Sequence, residues 1–220
     1  MIEVYTLEFL SELAANNNRE WFNSHKGDYE KSRENILDFT SHVITGLSKF
    51  DNTIPPDLNP KDCVMRIYRD IRFSNDKTPF KTNFGIAISA NGKNFKGPGY
   101  YIHIQPGKCF VAGGSWHPET EELKCIRQEI DYNASELKDI VNHPGFKNVF
   151  GDLDREGALK TTPKGYSSDN ENIEYLKLKS FTVTCNLKDK NLTEANAIKK
   201  VVSAFEILYP LVVFLRKAIS

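Results

Sequence analysis

Apolar and polar residues follow a helical period in the N-terminal part of the chain. Thr6 can cap a first helix, and Asn18 can cap a second one after a run of asparagines. We expect a joint in the second helix at Gly27, after which apolar residues return every three or four positions as far as Phe50. Pro55 then ends the pattern, because proline cannot continue a helix.

The C-terminal part of the chain shows the same helical period. An amphipathic helix is predicted to begin at Thr193 and to carry apolar residues as far as Leu215. Pro210 lies inside it and should kink or split it, because proline lacks a backbone N–H and clashes with the preceding turn. Helices are therefore expected at both ends of the chain.

The middle of the chain has a different period. Short runs alternate between apolar and polar residues, which is typical of strands. Pro106 and Gly107 separate two of these runs and predict a hairpin, so those two strands should be antiparallel neighbours. One or two helices, beginning at Pro118 and extending to Asn142, should interrupt the strands. The alternating runs are residues 63–73, 84–90, 100–105, 108–112 and 178–187.

These elements predict an α+β fold with a central, mainly antiparallel sheet flanked by N-terminal and C-terminal helices. The regular strand-helix alternation of α/β proteins is missing. The chain has 220 residues, a length between one large domain and two small ones, and we expect a single domain over residues 1–220. A chain of this length can bury roughly 70% of its unfolded surface without a disulfide or a structural metal.

The cysteines predict a reduced, cytoplasmic protein. They are widely spread and form no CxxC pair, so we expect free core thiols rather than disulfides or a zinc site. The N-terminus is acidic where a signal peptide would be positive, and no apolar run approaches the roughly 20 residues of a membrane span. We therefore expect no membrane partner. The cysteines are Cys63, Cys109, Cys125 and Cys185.

The charge of the chain excludes a surface devoted as a whole to nucleic acid. Lysine plus arginine and aspartate plus glutamate each number 29, so the formal net charge is zero. Residues 61–81, however, include six cationic and only three acidic residues, and this excess creates a local field that attracts anions. Three of the cations are arginines, whose planar guanidinium groups suit phosphate and carboxylate. The six cations are Lys61, Arg66, Arg69, Arg72, Lys77 and Lys81.

The basic segment, which we define as residues 66–81, has one charge that strand alternation does not explain. Arg69 falls on the apolar face, where an unpaired charge would cost several kcal/mol. Either a carboxylate meets Arg69, or the strand bulges there and turns the side chain outward. The simpler interpretation of the whole segment is a solvated strand face with internal salt bridges. The predicted apolar face holds Met65, Ile67, Ile71 and Phe73, and the polar face holds Arg66, Tyr68, Asp70 and Arg72.

A second polar strand face is predicted at residues 100–105. Tyr101, His103 and Gln105 alternate there with apolar residues. His103 could exchange a proton near neutral pH, but a single strand histidine is more often part of a structural hydrogen bond.

The sequence contains no recognisable catalytic or metal-binding motif. The phosphate-binding patterns GxGxxG and GxxxxGK[ST] are missing, as is the nucleophile pattern GxSxG. The histidines form no HxH or HExxH pattern. We therefore expect neither a cofactor nor a metal, and the sequence leaves open whether the protein is an enzyme.

Four stretches of the chain resemble a known protein family. They are NNNREWF at residues 16–22, RIYRDIRFSNDKTPFK at residues 66–81, GYYIH at residues 99–103 and PKGY at residues 163–166. In these stretches the chain is similar to the family called domain of unknown function 2461. The resemblance implies a microbial protein without an assigned activity, so it adds no site residue to the physical argument.

The leading hypothesis is a pocket in the basic segment for a phosphate-bearing or otherwise anionic small molecule. Its ligand-binding residues would be Arg66, Arg69, Arg72, Lys77, Lys81 and Tyr101, with His103 beside them. If the site is catalytic, Asp70 or His103 would be the general base.

Two alternatives remain open. The first is a nucleic-acid-binding module that uses Tyr68, Tyr101 or Trp116 as stacking platforms. The second is a structural protein whose cations form internal salt bridges and which acts through a protein partner.

Overall fold

The computed structural model describes residues 1–94 and 97–220. Within these residues, the chain forms nine α-helices and four strands. The helices are α1 Val4–Ala15, α2 Arg19–Ser24, α3 Lys26–Leu47, α4 Pro60–Cys63, α5 Thr120–Asn142, α6 Pro144–Phe150, α7 Ile173–Leu176, α8 Asp189–Thr193 and α9 Ala197–Ala218. The strands are β1 Phe84–Ile88, β2 Gly99–Ile104, β3 Cys109–Ser115 and β4 Phe181–Leu187, and a 3-10 turn covers Gly92–Asn94.

The four strands form one antiparallel sheet in the order β1-β2-β3-β4. This arrangement confirms the predicted α+β fold. None of the helices in the described part of the chain has the length and apolar composition needed to cross a bilayer.

The described residues divide into two compact units. Unit 1 contains residues 1–94, 101–111 and 186–203, and unit 2 contains residues 97–100, 112–185 and 204–220. The core of unit 1 is made by apolar side chains of α1 and α3 together with one face of β1 and β2. The core of unit 2 includes Ile130 and Leu137 of α5 and Phe205 and Leu208 of α9, all fully buried. The expectation of a single domain stays a prediction.

The predicted N-terminal helices are present, with shifted boundaries. Asn18 caps α2 as expected, since its Oδ1 accepts a hydrogen bond from the backbone N–H of Trp21 at 2.9 Å. Thr6 does not cap α1, because its hydroxyl donates instead to Oδ1 of Asn35 on α3, and the helix begins at Val4. The joint lies at His25 rather than at Gly27.

The C-terminal helix differs from the prediction at both of its special positions. It begins at Ala197, after the short helix α8, and it continues through Pro210 as one helix to Ala218. Leu208 and Leu211 on either side of Pro210 are fully buried. We infer that the burial of these leucines offsets the backbone hydrogen bond that the proline removes.

The hairpin between β2 and β3 confirms the prediction from Pro106 and Gly107. The backbone N–H of Lys108 donates to the carbonyl oxygen of Gln105 at 2.9 Å, and Gly107 has a φ of 72°. Proline followed by a glycine of positive φ is the sequence of a type II turn. The turn makes β2 and β3 antiparallel neighbours, with Ile102 and Ile104 buried and His103 partly exposed.

The predicted strand at residues 63–73 is wrong. Only two isolated bridges form there, between Val64 and Ile86 and between Tyr68 and Phe80. Val64 and Tyr68 are four positions apart, whereas their partners Ile86 and Phe80 are six positions apart. The extra residues between Phe80 and Ile86 prevent a regular ladder. Beyond Arg69 the chain is a loop, and Phe73, which was predicted to lie on the apolar strand face, is 96% exposed.

Candidate functional site

Arg69 forms hydrogen bonds with residues further along the loop of the basic segment. Its Nη1 donates to the carboxylate of Asp76 and to the hydroxyl of Thr78. The backbone N–H of Arg69 also donates to the carbonyl oxygen of Pro79 at 2.9 Å. Of the two solutions predicted for its charge, the structure therefore has the carboxylate partner. The Arg69 side chain is 25% exposed, so the pair is only partly screened by water.

Asp76 is the acidic partner of this arrangement, and its pKa is lowered to about 2. The backbone N–H of Thr78 is the largest cause, followed by the Arg69 guanidinium. Because the pKa is lower in the folded state, the stabilisation is present above the ordinary value of 3.8 and is lost as the pH falls from 3.8 towards 2.

We expect a ¹³C NMR titration of the Asp76 carboxyl group to show a midpoint near 2. An Arg69→Gln variant should raise that midpoint but keep it below 3.8, because the Thr78 N–H remains. An Arg72→Gln variant should leave it unchanged. A wild-type midpoint near 3.8 would contradict the ion pair.

Two further cations of the basic segment are also held by local partners. Arg72 Nη2 lies 2.6 Å from Oδ2 of Asp70 and its Nε lies 3.0 Å from Oδ1, a bidentate pair. Lys77 Nζ donates to the carbonyl oxygen of Ile71 at 3.0 Å. The hydrogen bonds from Arg72 lower the pKa of Asp70, so this carboxylate is a weak proton acceptor near neutral pH.

Arg66 and Lys81 differ from the other cations of the segment. Neither forms an ion pair or a side-chain hydrogen bond with any other residue that the structure describes. The backbone N–H of Lys81 donates to the carbonyl oxygen of Ile67 at 2.7 Å, which fixes the two chain segments against each other. Lys81 is half-buried, and its pKa is lowered first by burial and then by the charge of Arg66. The two cations therefore form a positive centre without a neutralising carboxylate of its own.

A line of hydrogen bonds runs along the partly exposed face of β2. Gln105 Nε2 donates to Oγ1 of Thr82 at 3.2 Å, which leaves Gln105 Oε1 to accept from His103 Nε2 at 3.0 Å. His103 therefore carries its proton on Nε2, and Nδ1 accepts from the hydroxyl of Tyr101 at 3.1 Å. Burial raises the pKa of Tyr101, so its hydroxyl stays protonated and can donate this bond.

The neighbouring strands hold Tyr101 and His103 in place. The His103 ring stacks on Phe110 of β3, with centroids 4.7 Å apart and ring planes 7° from parallel. On β1, a Cβ atom at Gly85 would lie 2.8 Å from the Tyr101 hydroxyl and 3.1 Å from the sulfur of Met65. Glycine at this strand position therefore makes room for the tyrosine. We infer that Tyr101 and His103 have little rotational freedom.

The structure brings together only part of the predicted site. Tyr101 and His103 are hydrogen-bonded to each other, and the charge of Arg66 acts on Lys81; all four residues lie in unit 1. Arg69, Arg72, Lys77 and Asp70 use their charges inside the loop. Of the predicted stacking residues, Tyr68 is 52% exposed and Trp116 is 75% exposed.

Sequence reasoning missed three residues around this site. Thr82 and Phe110 were not singled out, because nothing in a single sequence shows which strands pair. Gly85 had a readable signal, since a glycine inside a strand pattern often marks a close approach of another group.

The cysteines correct one expectation. All four are free, but only Cys63 and Cys109 are buried, whereas Cys125 is exposed and Cys185 is intermediate. Burial raises the pKa of the Cys63 thiol to about 11 and that of Cys109 to about 12, so neither is a ready nucleophile. Across residues 1–94 and 97–220, no three His, Cys, Asp or Glu side chains converge to hold a metal ion.

Fold and site together define an α+β protein with a cation pair and a tyrosine-histidine pair in unit 1. The model of a family described as conserved hypothetical protein (DUF2461) matches residues 5–214, so the chain belongs to this family. No curated protein and no solved structure matches the chain.

Proposed function

We propose that the protein binds a phosphate-bearing or otherwise anionic small molecule at Arg66 and Lys81. The arrangement of the two cations carries the proposal: the Lys81 backbone is hydrogen-bonded to Ile67, the residue after Arg66, Lys81 is half-buried, and no carboxylate of the described chain pairs with either cation. Placing like charges together in a partly desolvated position costs free energy. A bound anion removes that cost, whereas Arg69 and Arg72 are already neutralised by Asp76 and Asp70.

The line of hydrogen bonds on β2 supports the same proposal. It begins at Thr82, the residue next to Lys81, and continues through Gln105 and His103 to Tyr101. Hydroxyl and imidazole groups held in fixed orientations suit the recognition of a polar ligand. If a reaction takes place there, His103 is the better candidate of the two predicted bases, because the hydrogen bonds from Arg72 lower the pKa of Asp70 and leave it a weak proton acceptor.

A cytoplasmic location belongs to the same proposal. It is supported by the four free cysteines, since oxidising compartments favour disulfides.

Calorimetric titration with inorganic phosphate tests the cation pair. We expect saturable binding to the wild type and a loss of at least about tenfold in affinity for an Arg66→Ala/Lys81→Ala variant, since each charged hydrogen bond contributes roughly 1.5–3 kcal/mol. The matched control is Arg72→Ala/Lys77→Ala. This control also removes one arginine and one lysine, but from exposed positions whose side chains already have hydrogen-bond partners in the loop.

The control should bind phosphate within about threefold of the wild type, because distant exposed charges are largely screened. The proposal fails if the wild type does not bind, or if both double variants lose affinity equally. A single-stranded oligonucleotide separates the nucleic-acid alternative. Its binding should weaken steeply with salt as counterions are released, whereas binding of inorganic phosphate should show a shallow dependence.

A further inference from the structure

A cleft of about 210 Å³ lies in unit 1 beside α2. It is separate in its lining from Arg66, Lys81, Tyr101 and His103. Its lining combines aromatic side chains with two arginines. The lining residues that matter to the argument are Arg19, Phe22, Tyr68, Arg69, Ile71 and Phe80.

The aromatic part of the cleft is fixed by the core. Phe22 and Phe80 stack with centroids 4.0 Å apart and ring planes 15° from parallel, and both are almost fully buried. Asn17 holds Phe80 in place, since its side-chain amide donates to the Phe80 carbonyl oxygen at 2.9 Å and accepts from the Phe80 N–H at 3.1 Å. The floor of the cleft is therefore rigid and apolar.

Tyr68 forms one wall of the cleft, and part of its surface is exposed to solvent. Its ring lies against the edges of Phe22 and Phe80, with centroids 5.9 Å and 5.4 Å away, yet the residue is half-exposed. Aromatic rings pair favourably in offset or edge-to-face arrangements at such distances. A ring of the same size in the cleft would cover the exposed part of Tyr68.

Arg19 gives the cleft a positive charge, and Arg69, whose charge is balanced by Asp76, adds further N–H donors. Arg69 is positioned by Asp76 and Thr78 through Nη1, and none of its other side-chain nitrogens has a partner among the described residues. Arg19 is exposed and forms no ion pair with any residue that the structure describes. A planar guanidinium presents two parallel N–H groups that match the two oxygens of a carboxylate.

We infer that this cleft binds a small aromatic carboxylate, with its ring against Tyr68 and its carboxylate at Arg19 and Arg69. The size sets an upper limit, because pockets for drug-sized ligands hold roughly 300–1,000 Å³. A single ring with one acidic group suits the smaller volume. The site goes beyond the proposed anion site, since its lining includes neither Arg66 nor Lys81.

The test is a calorimetric titration with benzoate as the probe. Two comparison ligands separate the parts of the inference: cyclohexanecarboxylate keeps the charge without the planar ring, and benzyl alcohol keeps the ring without the charge. We expect benzoate to bind saturably and at least about threefold more tightly than either comparison ligand, as expected for a lost aromatic or charged contact. Equal affinity for benzoate and either comparison ligand would overturn the inference.

Matched variants locate the binding. Tyr68→Leu should weaken benzoate binding by about threefold to tenfold, whereas Tyr132→Leu, which replaces an equally large exposed tyrosine of unit 2, should not change it. Arg19→Gln should weaken benzoate but not benzyl alcohol. Arg19 is exposed, so this variant keeps the test valid if Tyr68→Leu does not fold.

Two further outcomes would overturn the inference. One is that benzoate does not saturate on the wild type, and the other is that Tyr68→Leu and Tyr132→Leu bind it equally. The Arg66→Ala/Lys81→Ala variant should bind benzoate like the wild type. Failure of phosphate binding would therefore leave this inference standing, and failure of benzoate binding would leave the anion site standing.

Discussion

Replacement of Gly114 by alanine is expected to lower the free energy of unfolding by at least about 3 kcal/mol. Gly114 lies in β3 with a φ of 113°, a conformation that residues with a side chain rarely adopt. A Cβ atom there would overlap the carbonyl oxygen of Phe181 on β4 and lie 3.1 Å from its carbonyl carbon. The obstacle is backbone of a paired strand, so it cannot move aside as a flexible side chain would.

Gly157→Ala is the matched control for this substitution. Gly157 also has a positive φ, 71°, but no atom lies within 4 Å of the position that a Cβ would take. It should cost only the conformational penalty of roughly 1–2 kcal/mol. Urea unfolding of both variants measures the difference. Equal losses would show that β3 and β4 do not approach each other closely at Gly114.

The elements that sequence could predict are those whose residues carry the pattern themselves. The end of α5 at Asn142 and the cap of α2 by Asn18 follow from local chemistry. The alternation of β2 is readable because one face is buried and the other is partly exposed. The segment at residues 63–73 has equally good alternation, but its partner strand carries extra residues between the two bridges. Register belongs to a pair of strands, so one strand alone does not reveal it.

The candidate site shows the same division. The excess of cations in the basic segment is visible in its composition. The prediction that Arg69 needs a carboxylate partner or a bulge followed from its position on the predicted apolar strand face. Which cations stay unpaired depended on the loop, where Asp70 and Asp76 each meet an arginine. The cleft was not predictable, because its lining joins residues of α2 to residues far along the chain, and only the structure shows that Asn17 is hydrogen-bonded to Phe80.

Phe22→Ala should lower the free energy of unfolding by about 3–5 kcal/mol, the usual cost of emptying a buried phenylalanine site. Phe22 is 2% exposed, and its ring contacts the rings of Phe9, Tyr29, Tyr68 and Phe80. These neighbours come from separate parts of unit 1 and are held by their own contacts. They cannot all move inward to fill the space, so a cavity should remain.

Phe73→Ala removes the same atoms from a position that the sequence pattern placed on an apolar strand face and that the structure exposes to solvent. Phe73 is 96% exposed, and the Arg72 guanidinium carbon lies 5.9 Å from its ring centroid. An exposed contact of this kind contributes at most about 1 kcal/mol. Both variants delete an identical side chain. The difference between their free energies of unfolding, measured with urea, therefore reports the different surroundings of the two phenylalanines. If both variants lost a similar free energy of unfolding, Phe73 would have to be buried, as expected for the strand predicted at residues 63–73.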